Sequence, residues 1–140
     1  MQVNEVMTPD VTFVGPETEL EEIAQRMRDE EIGSMPISEN DRLIGMVTDR
    51  DIVVRAVAEG LDIREATARD VMSPKVLYCF DDETVEDALK SMGENQIRRL
   101  PVVNHDKRLV GVVSLGDLSK AAEKEAGDAL REISEAPTEH

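Results

Sequence analysis

Two short stretches of the chain pair a hydroxyl with a carboxylate at a spacing that suits ligand binding. Asp51 follows Thr48 by three residues, and Asp117 follows Ser114 by three residues. Each pair comes directly after an apolar run of strand length, so it lies where a strand leads into a helix. A helix N-terminus presents free N–H groups and the positive end of the helix dipole, which favour a phosphate. The hydroxyl can add a hydrogen bond to that phosphate, and the carboxylate can accept two hydrogen bonds from a ribose diol.

The same spacing also describes an ordinary helix start. A Thr or Ser at the N-cap accepts a hydrogen bond from a free N–H of the first turn, and an Asp in that turn interacts favourably with the helix dipole. A single T-x-x-D pair favours this helix-cap interpretation. The presence of two such pairs in one chain makes the ligand interpretation worth testing against the rest of the sequence.

The two junctions belong to an internal repeat of about 60 residues, a length typical of one small structural unit. Residues 5–9 return as 70–74, residues 20–27 as 85–92 and residues 32–37 as 97–102, all at an offset of 65 residues. The run 42–48 returns at an offset of 66. Two repeats are too few for a solenoid. We therefore expect two halves that each cover the apolar face of the other.

Hydrophobic periodicity gives each repeat the order strand, helix, strand, strand, helix. Apolar residues at i, i+3, i+4 and i+7 predict an amphipathic helix over 18–30, begun by a capping box from Thr18 and Glu21. The second repeat has the same pattern from Val85, with Thr84 and Asp87 in the capping places. Strands are predicted over 34–38, 43–48, 99–103 and 109–114, with hairpin turns at Asn40-Asp41 and His105-Asp106. A helix is predicted over 49–59, ended by Gly60, and another over 115–125, extended through 126–134. The end of the chain at 136–140 is expected to be frayed.

Composition excludes several classes of function. The net charge of −15 and the 2% aromatic content argue against nucleic acid and against anionic membrane as partners. The only cysteine, Cys79, cannot form an internal disulfide and is expected to be a buried hydrophobe in a cytoplasmic protein. Together with His105 and His140 it does not make a closed zinc site, so we predict no metal. No nucleophile triad, paired catalytic acids or Walker loop is present, so we predict that the chain is not an enzyme.

The ordered set of motifs resembles a known family. The pattern V-M-[ST]-P, an amphipathic helix, I-x-x-[ML]-P-[IV] and G-[MV]-V-[TS]-x-x-D occurs twice. It resembles a tandem pair of cystathionine-β-synthase (CBS) domains, the Bateman module, and within that family the small stand-alone pairs. The resemblance implies an α+β fold in which two β-α-β-β-α motifs, residues 1–62 and 63–124, pack as a pseudo-two-fold pair. An acidic C-terminal helix or tail follows over 125–140.

The resemblance also implies a function. Such pairs bind AMP, ADP or ATP, with NAD and S-adenosylmethionine as alternatives, in two clefts between the repeats, and they need no further cofactor. It implies one cleft around Asp117, formed with Ser114, Val112, Arg98, Arg99, Gly15, Leu20, Ile32 and Gly33. It implies a second cleft formed by Met46, Thr48, Asp51, Phe80, Val85, Ile97, Gly33 and Ser34. It further implies a homodimer through the second helices and a partner protein that reads the bound state.

The two implied clefts differ in charge. Arg98 and Arg99 correspond to Gly33 and Ser34, so one cleft has two cations and the other has none. We expect the Asp117 cleft to bind a phosphorylated ligand more tightly. The alternative for the arginine pair is a solvated pair with salt bridges to surface acids.

A second function of a different class remains open. The pair could be a ligand-free scaffold for dimerisation or partner binding, with both Asp residues acting only as helix caps. Val53, Val54 and Val57 give the first of the second helices more apolar surface than one buried face requires, which favours a homodimer.

Overall fold

Each sequence repeat folds around an antiparallel hairpin, in a computed structural model that describes residues 1–9 and 11–135. The first repeat contains a 3₁₀ turn Val3–Glu5, helix α1 (Leu20–Glu30), strands β1 (Ser34–Glu39) and β2 (Arg42–Thr48), and helix α2, which starts as Asp49–Asp51 and continues as a π-helical segment Ile52–Val57. The second contains α3 (Ala68–Val71), β3 (Cys79–Phe80), α4 (Val85–Asn95), β4 (Arg99–Val103), β5 (Leu109–Ser114) and α5 (Leu115–Glu135). The amphipathic helices, hairpin strands and extended last helix are confirmed.

The chain divides into two compact units that do not coincide with the two sequence repeats. The repeat-one unit consists of Asp10–Leu77 and the hairpin tip His105–Leu109. The repeat-two unit consists of Met1–Pro9, Tyr78–Asn104 and the chain from Val110 onward. The first residues of the chain therefore pack with the second repeat.

Each unit has its own hydrophobic core. The predicted apolar stripe of α1 is buried in the repeat-one unit through Leu20, Ile23 and Met27, against strand residues such as Met35 and Val47. The corresponding stripe of α4 is buried in the repeat-two unit, with Val85, Ala88 and Met92 packed among Leu100, Val102, Val113 and Leu118. The i, i+3, i+7 spacing read from the sequence thus marks the helix faces that hold each unit together.

Three local predictions differ from the structure. The capping box of Thr18 and Glu21 is wrong: α1 begins at Leu20 without a side-chain cap, because the carbonyls of Ala66 and Ile63 accept the N–H groups of Leu20 and Glu21 at 2.9 and 3.0 Å. The first strand of repeat one is reduced to a single parallel bridge from Val14 to Ile37. The chain turns at Gly15-Pro16, where Pro16 has no N–H to continue a ladder.

The third difference concerns α2. The helix predicted over 49–59 is π-helical from Ile52 to Val57, with the N–H of Ala58 bonded to the carbonyl of Val53 at 2.9 Å. Three successive β-branched residues, 52–54, lower the preference for a regular α-helix at this point. Gly60 has φ +75°, so the predicted left-handed stop is confirmed.

The hairpin turns also follow the sequence. Asn40 and Asp41 both have positive φ, 53° and 64°, as a two-residue type I′ turn requires. The second hairpin has one more residue in its loop and uses Lys107, at φ 61°. None of the helices in the described residues combines the length and hydropathy that crossing a membrane requires. The frayed end expected at 136–140, with His140, lies outside the described residues.

A close approach of two backbones makes Gly111 necessary. A Cβ at this position would lie 2.7 Å from the sulfur of Met7 and 2.9 Å from the carbonyl oxygen of Thr8. We expect Gly111→Ala to lower the free energy of unfolding by about 1–3 kcal/mol, because the clash forces the N-terminal segment away from β5. Urea unfolding measures the change.

Gly93→Ala is the matched control for Gly111→Ala. No atom lies within 4 Å of a Cβ at this helical position. The control should therefore be neutral or stabilise the protein by about 0.5–1 kcal/mol. Equal unfolding midpoints for the two variants would contradict the packing described here.

Candidate functional site

In repeat one, the Thr48–Asp51 pair forms a closed helix cap. The N–H of Asp51 donates to the Thr48 hydroxyl at 3.0 Å, and the N–H of Thr48 donates to the Asp51 carboxylate at 2.9 Å. The guanidinium of Arg55 lies 3.9 Å from the other carboxylate oxygen, and the Asp51 side chain is only 19% exposed. Both oxygens of this carboxylate therefore already have partners inside the protein.

In repeat two, the Ser114–Asp117 pair leaves its carboxylate open. The N–H of Asp117 donates to the Ser114 hydroxyl at 3.1 Å, as in repeat one. Within residues 1–9 and 11–135, no hydrogen bond or ion pair reaches the Asp117 carboxylate, and the residue is exposed. The Ser114 hydroxyl accepts a bond in this cap but still has its own O–H to donate. This junction can thus offer a ligand both an acceptor and a donor.

The same backbone turn positions both junctions. Helices α1 and α4 end in left-handed residues, Glu31 at φ 55° and Gln96 at φ 53°. Each turn leads the chain into the first hairpin strand, whose start is tied to the site helix by one hydrogen bond. The N–H of Asp49 donates to the Gly33 carbonyl at 2.9 Å, and the N–H of Leu115 donates to the Arg98 carbonyl at 2.8 Å.

The charges placed by this turn have opposite signs in the two repeats. In repeat one, a carboxylate oxygen of Asp49 lies 3.1 Å from where a Cβ on Gly33 would be. In repeat two the corresponding residues are Leu115 and Arg98, so the anion is absent and a cation is present in place of Gly33. A phosphate near the repeat-one junction would be repelled by Asp49, whereas the repeat-two junction lacks that anion and has an arginine in the bonded turn.

Arg98 and Arg99 are both exposed. Neither takes part in a salt bridge with any residue that the structure describes. The salt-bridged arrangement considered for this pair is therefore not formed within the described part of the chain. In a chain of net charge −15, two cations without partners among the described residues leave this edge of the repeat-two unit suited to an anion.

The other predicted site residues have different degrees of exposure. Leu20 and Val85 are 0% and 1% exposed, so their side chains belong to the two cores. Met46 and Val112 are half-buried, and their backbone groups are bonded to Ser73 and Thr8 respectively. Among the other residues predicted to contact a ligand, Gly33 is exposed. The rest are half-buried, namely Gly15, Ile32, Ser34, Phe80 and Ile97.

The structure groups these residues by unit. Ser114, Asp117 and Arg98 come together in the repeat-two unit, and Thr48, Asp51 and Gly33 come together in the repeat-one unit. The two implied clefts each combine residues of both units, and that combination stays a prediction.

One feature of the site was missed by sequence reasoning. Asp117 lines a cavity of about 340 Å³ whose opposite wall is the N-terminal segment, including Met1, Glu5 and Val6. The repeated V-M-[ST]-P motif was the available signal. The motif marks residues 5–9 as part of the repeat, but it does not indicate that the segment packs beside α5.

Cys79 behaves as the buried hydrophobe that the sequence predicts. It is 1% exposed, and burial raises the pKa of its thiol to about 12. The thiolate form, which binds metals and reacts with electrophiles, is therefore disfavoured at neutral pH.

Comparison with known proteins identifies the family. The family model described as "CBS domain" matches residues 3–58 and 68–124. The chain belongs to the CBS domain family. The CBS domain-containing protein YhcV of Bacillus subtilis is 39% identical over 134 residues, which cover 94% of each protein. The chain therefore matches stand-alone CBS proteins over nearly their whole length.

Solved structures of CBS proteins have the same fold. Hypoxic response protein 1 of Mycobacterium tuberculosis is 40% identical over 117 residues, 83% of this chain and 81% of that protein. A crystal structure of Hypoxic Response Protein I with two coordinated zinc ions has a TM-score of 0.78 and 39% identity, covering 86% of this chain and 98% of that one. A crystal structure of CBSX2, a CBS-pair protein of Arabidopsis thaliana, in complex with AMP has a TM-score of 0.76 and 27% identity, covering 89% and 98%.

The difference between the two carboxylates predicts different effects on stability. Asp51→Ala should lower the free energy of unfolding by about 1 kcal/mol, because it removes half of a reciprocal cap. Asp117→Ala should change it by less than about 0.5 kcal/mol, because the carboxylate has no partner to lose. Urea unfolding of the two variants without ligand measures both values. Equal losses would contradict the difference between the closed and the open carboxylate.

Proposed function

We propose that the chain is a regulatory module that binds an adenine nucleotide at the repeat-two junction. Asp117 would accept hydrogen bonds from the ribose hydroxyls, Ser114 would donate to a phosphate, and Arg98 and Arg99 would attract the anion. The adenine would contact apolar side chains contributed as the family resemblance implies. The repeat-one junction would bind such a ligand more weakly or not at all.

The observation that carries this proposal is the open carboxylate of Asp117. The two junctions share the cap bond and the strand-to-helix bond, but of their two carboxylates only that of Asp117 has no partner in the described chain. A carboxylate that accepts a bidentate hydrogen bond from a diol must be free to do so. Arg98, whose carbonyl accepts the N–H of Leu115 at the start of α5, and the anion Asp49 near Asp51 reinforce the same difference.

The family supports an adenosine-containing ligand. The related CBSX2 structure is a complex with AMP. AMP, ADP and ATP are therefore the first ligands to test, with NAD and S-adenosylmethionine as alternatives that share the adenosyl group. A ligand can shift the chain between two states only by its difference in affinity for them, so a partner protein that prefers one state would read that difference.

The proposed role is regulatory and not enzymatic. The net charge of −15 continues to argue against nucleic acid and anionic membrane as partners, and a cytoplasmic location remains our prediction. Because one relative carries zinc, titrations repeated with EDTA test the prediction that this chain needs no metal.

Calorimetric titration tests the binding site. Asp117→Ala should weaken nucleotide binding at least about tenfold, which corresponds to the loss of a charged hydrogen-bond acceptor of about 1.5–3 kcal/mol. Asp51→Ala should change the affinity by less than about threefold in spite of its lower stability. A larger loss for Asp51→Ala would place the ligand at the other junction. The absence of binding by the unchanged chain to any of the five ligands would favour the scaffold.

The scaffold alternative rests on a different surface. On α2, Val53 and Val57 are each 58% exposed and Val54 is 44% exposed, and Leu61 nearby is 41% exposed. Residues 53 and 57 are four apart and share one helix face. We propose that this face is covered by a second copy of the chain, in agreement with the homodimer that the family resemblance implies. Dimerisation is compatible with nucleotide binding and does not depend on it.

Sedimentation equilibrium tests the dimer. The unchanged chain should sediment at about twice its 15.6 kDa monomer mass at micromolar concentration. Val53→Ser/Val57→Ser should sediment as a monomer while remaining folded, because both side chains are already exposed in the single chain. Leu77→Ser is the control, since Leu77 is 45% exposed and lies outside α2. A monomer for the unchanged chain would exclude this interface.

A further inference from the structure

A cavity beside α5 contains more ligand-binding chemistry than the junction alone. Its volume is about 340 Å³, within the range of about 300–1,000 Å³ found for small-molecule sites. All of its lining residues belong to the repeat-two unit. One wall is the N-terminal segment and the other is the face of α5 that carries Asp117.

The N-terminal wall is held in place by backbone hydrogen bonds. The N–H of Val3 donates to the Glu83 carbonyl at 2.8 Å, and the N–H of Val85 donates to the Met1 carbonyl at 3.0 Å. The side chain of Val3 is completely buried in the core. The segment is therefore a fixed wall of the cavity.

The α5 wall carries two lysines in line with Asp117. Lys120 and Lys124 follow it at i+3 and i+7 and line the same cavity, with Ala121 between them. At 1.5 Å per residue, the two lysines lie about 5 and 10 Å along the helix axis from Asp117. That span matches the length of a di- or triphosphate chain extended from a ribose.

The two lysines have no neutralising partner in the part of the chain that the structure describes. No salt bridge of Lys120 or Lys124 occurs there, although the sequence contains 31 acidic residues. Like charges four residues apart on a helix repel each other. An anion bound between them would remove that repulsion and gain two charged hydrogen bonds.

The cavity also contains hydrogen-bond acceptors that suit the hydroxyl groups of a sugar. The carboxylate of Asp117 is open. One carboxylate oxygen of Glu5 accepts a hydrogen bond from the N–H of Gln2 at 2.6 Å, and the other oxygen is available to a ligand. Acceptors for hydroxyl groups and donors for an anion in one cavity suit a phosphorylated sugar. Arg98 and Arg99 do not line this cavity, so they would meet a phosphate only on another path from Asp117.

We propose that Lys120 and Lys124 bind the phosphates beyond the first in a nucleotide whose ribose is held by Asp117. The inference rests on the proposed function for the ribose and the first phosphate, and it directs the further phosphates along α5 instead of toward Arg98 and Arg99. The site binds nucleoside di- and triphosphates more tightly than the monophosphate, because only the longer chains reach the two lysines. These two lysines therefore determine phosphate-chain specificity.

The test is calorimetric titration of the full chain with AMP, ADP and ATP. Lys120→Gln/Lys124→Gln should lower ATP affinity about tenfold or more and leave AMP affinity within about twofold. Lys90→Gln, an exposed lysine of α4 outside the cavity, is the matched control and should change neither. Thermal unfolding of each variant confirms that it is folded.

Arg98→Gln/Arg99→Gln separates the two possible directions of the phosphate chain. Loss of ATP preference in this variant, with none in the lysine variant, would overturn the inference and leave nucleotide binding at Asp117 intact. Equal affinity of the unchanged chain for AMP and ATP would also overturn it. If the unchanged chain binds no nucleotide, the proposed function fails together with the inference.

Discussion

A pair of backbone hydrogen bonds fixes each V-M-[ST]-P segment to the strand that leads into a site helix. Thr8 and Val112 exchange N–H···O bonds at 2.9 and 3.0 Å, and Ser73 and Met46 exchange them at 3.0 and 3.2 Å. The approach is possible only because a glycine precedes each bonded strand residue, and a Cβ there would lie under 3 Å from a methionine sulfur. This contact places the N-terminal segment beside α5, and so it builds one wall of the cavity that Asp117 lines.

The duplicated frame carries different charges at its two ends. In both repeats a left-handed helix end, a hairpin and one strand-to-helix hydrogen bond place the same backbone positions together. In one repeat the carboxylate is used by the cap and by Arg55, and a second carboxylate lies at Gly33. In the other the carboxylate of Asp117 is open, Leu115 occupies the position of Asp49, and Arg98 occupies the position of Gly33. One backbone geometry thus supports a junction with a closed carboxylate and a junction with an open carboxylate in the same chain.

The physics of helix caps explains why the sequence alone left both functions open. A hydroxyl at the N-cap and an acid three residues later can accept hydrogen bonds from the free N–H groups at a helix start. The same hydroxyl and acid can instead bind a nucleotide. The structure distinguishes the two junctions by whether the acid bonds back to the cap residue. Asp51 accepts the N–H of Thr48 at 2.9 Å, whereas in the described chain Asp117 accepts no bond from Ser114.

The sequence by itself determined the repeat, the helix faces, the hairpins and the family, because these depend on periodicity and on residues close together in the chain. The sequence also indicated that the two junctions differ in charge, since Arg98 aligns with Gly33. Only the tertiary structure decided that residues 1–9 pack with the second repeat, that linker carbonyls start α1 in place of Thr18, and that Lys120 and Lys124 share a cavity with Asp117 and Glu5. These features depend on contacts between segments far apart in sequence, which local patterns of hydrophobicity and capping do not specify.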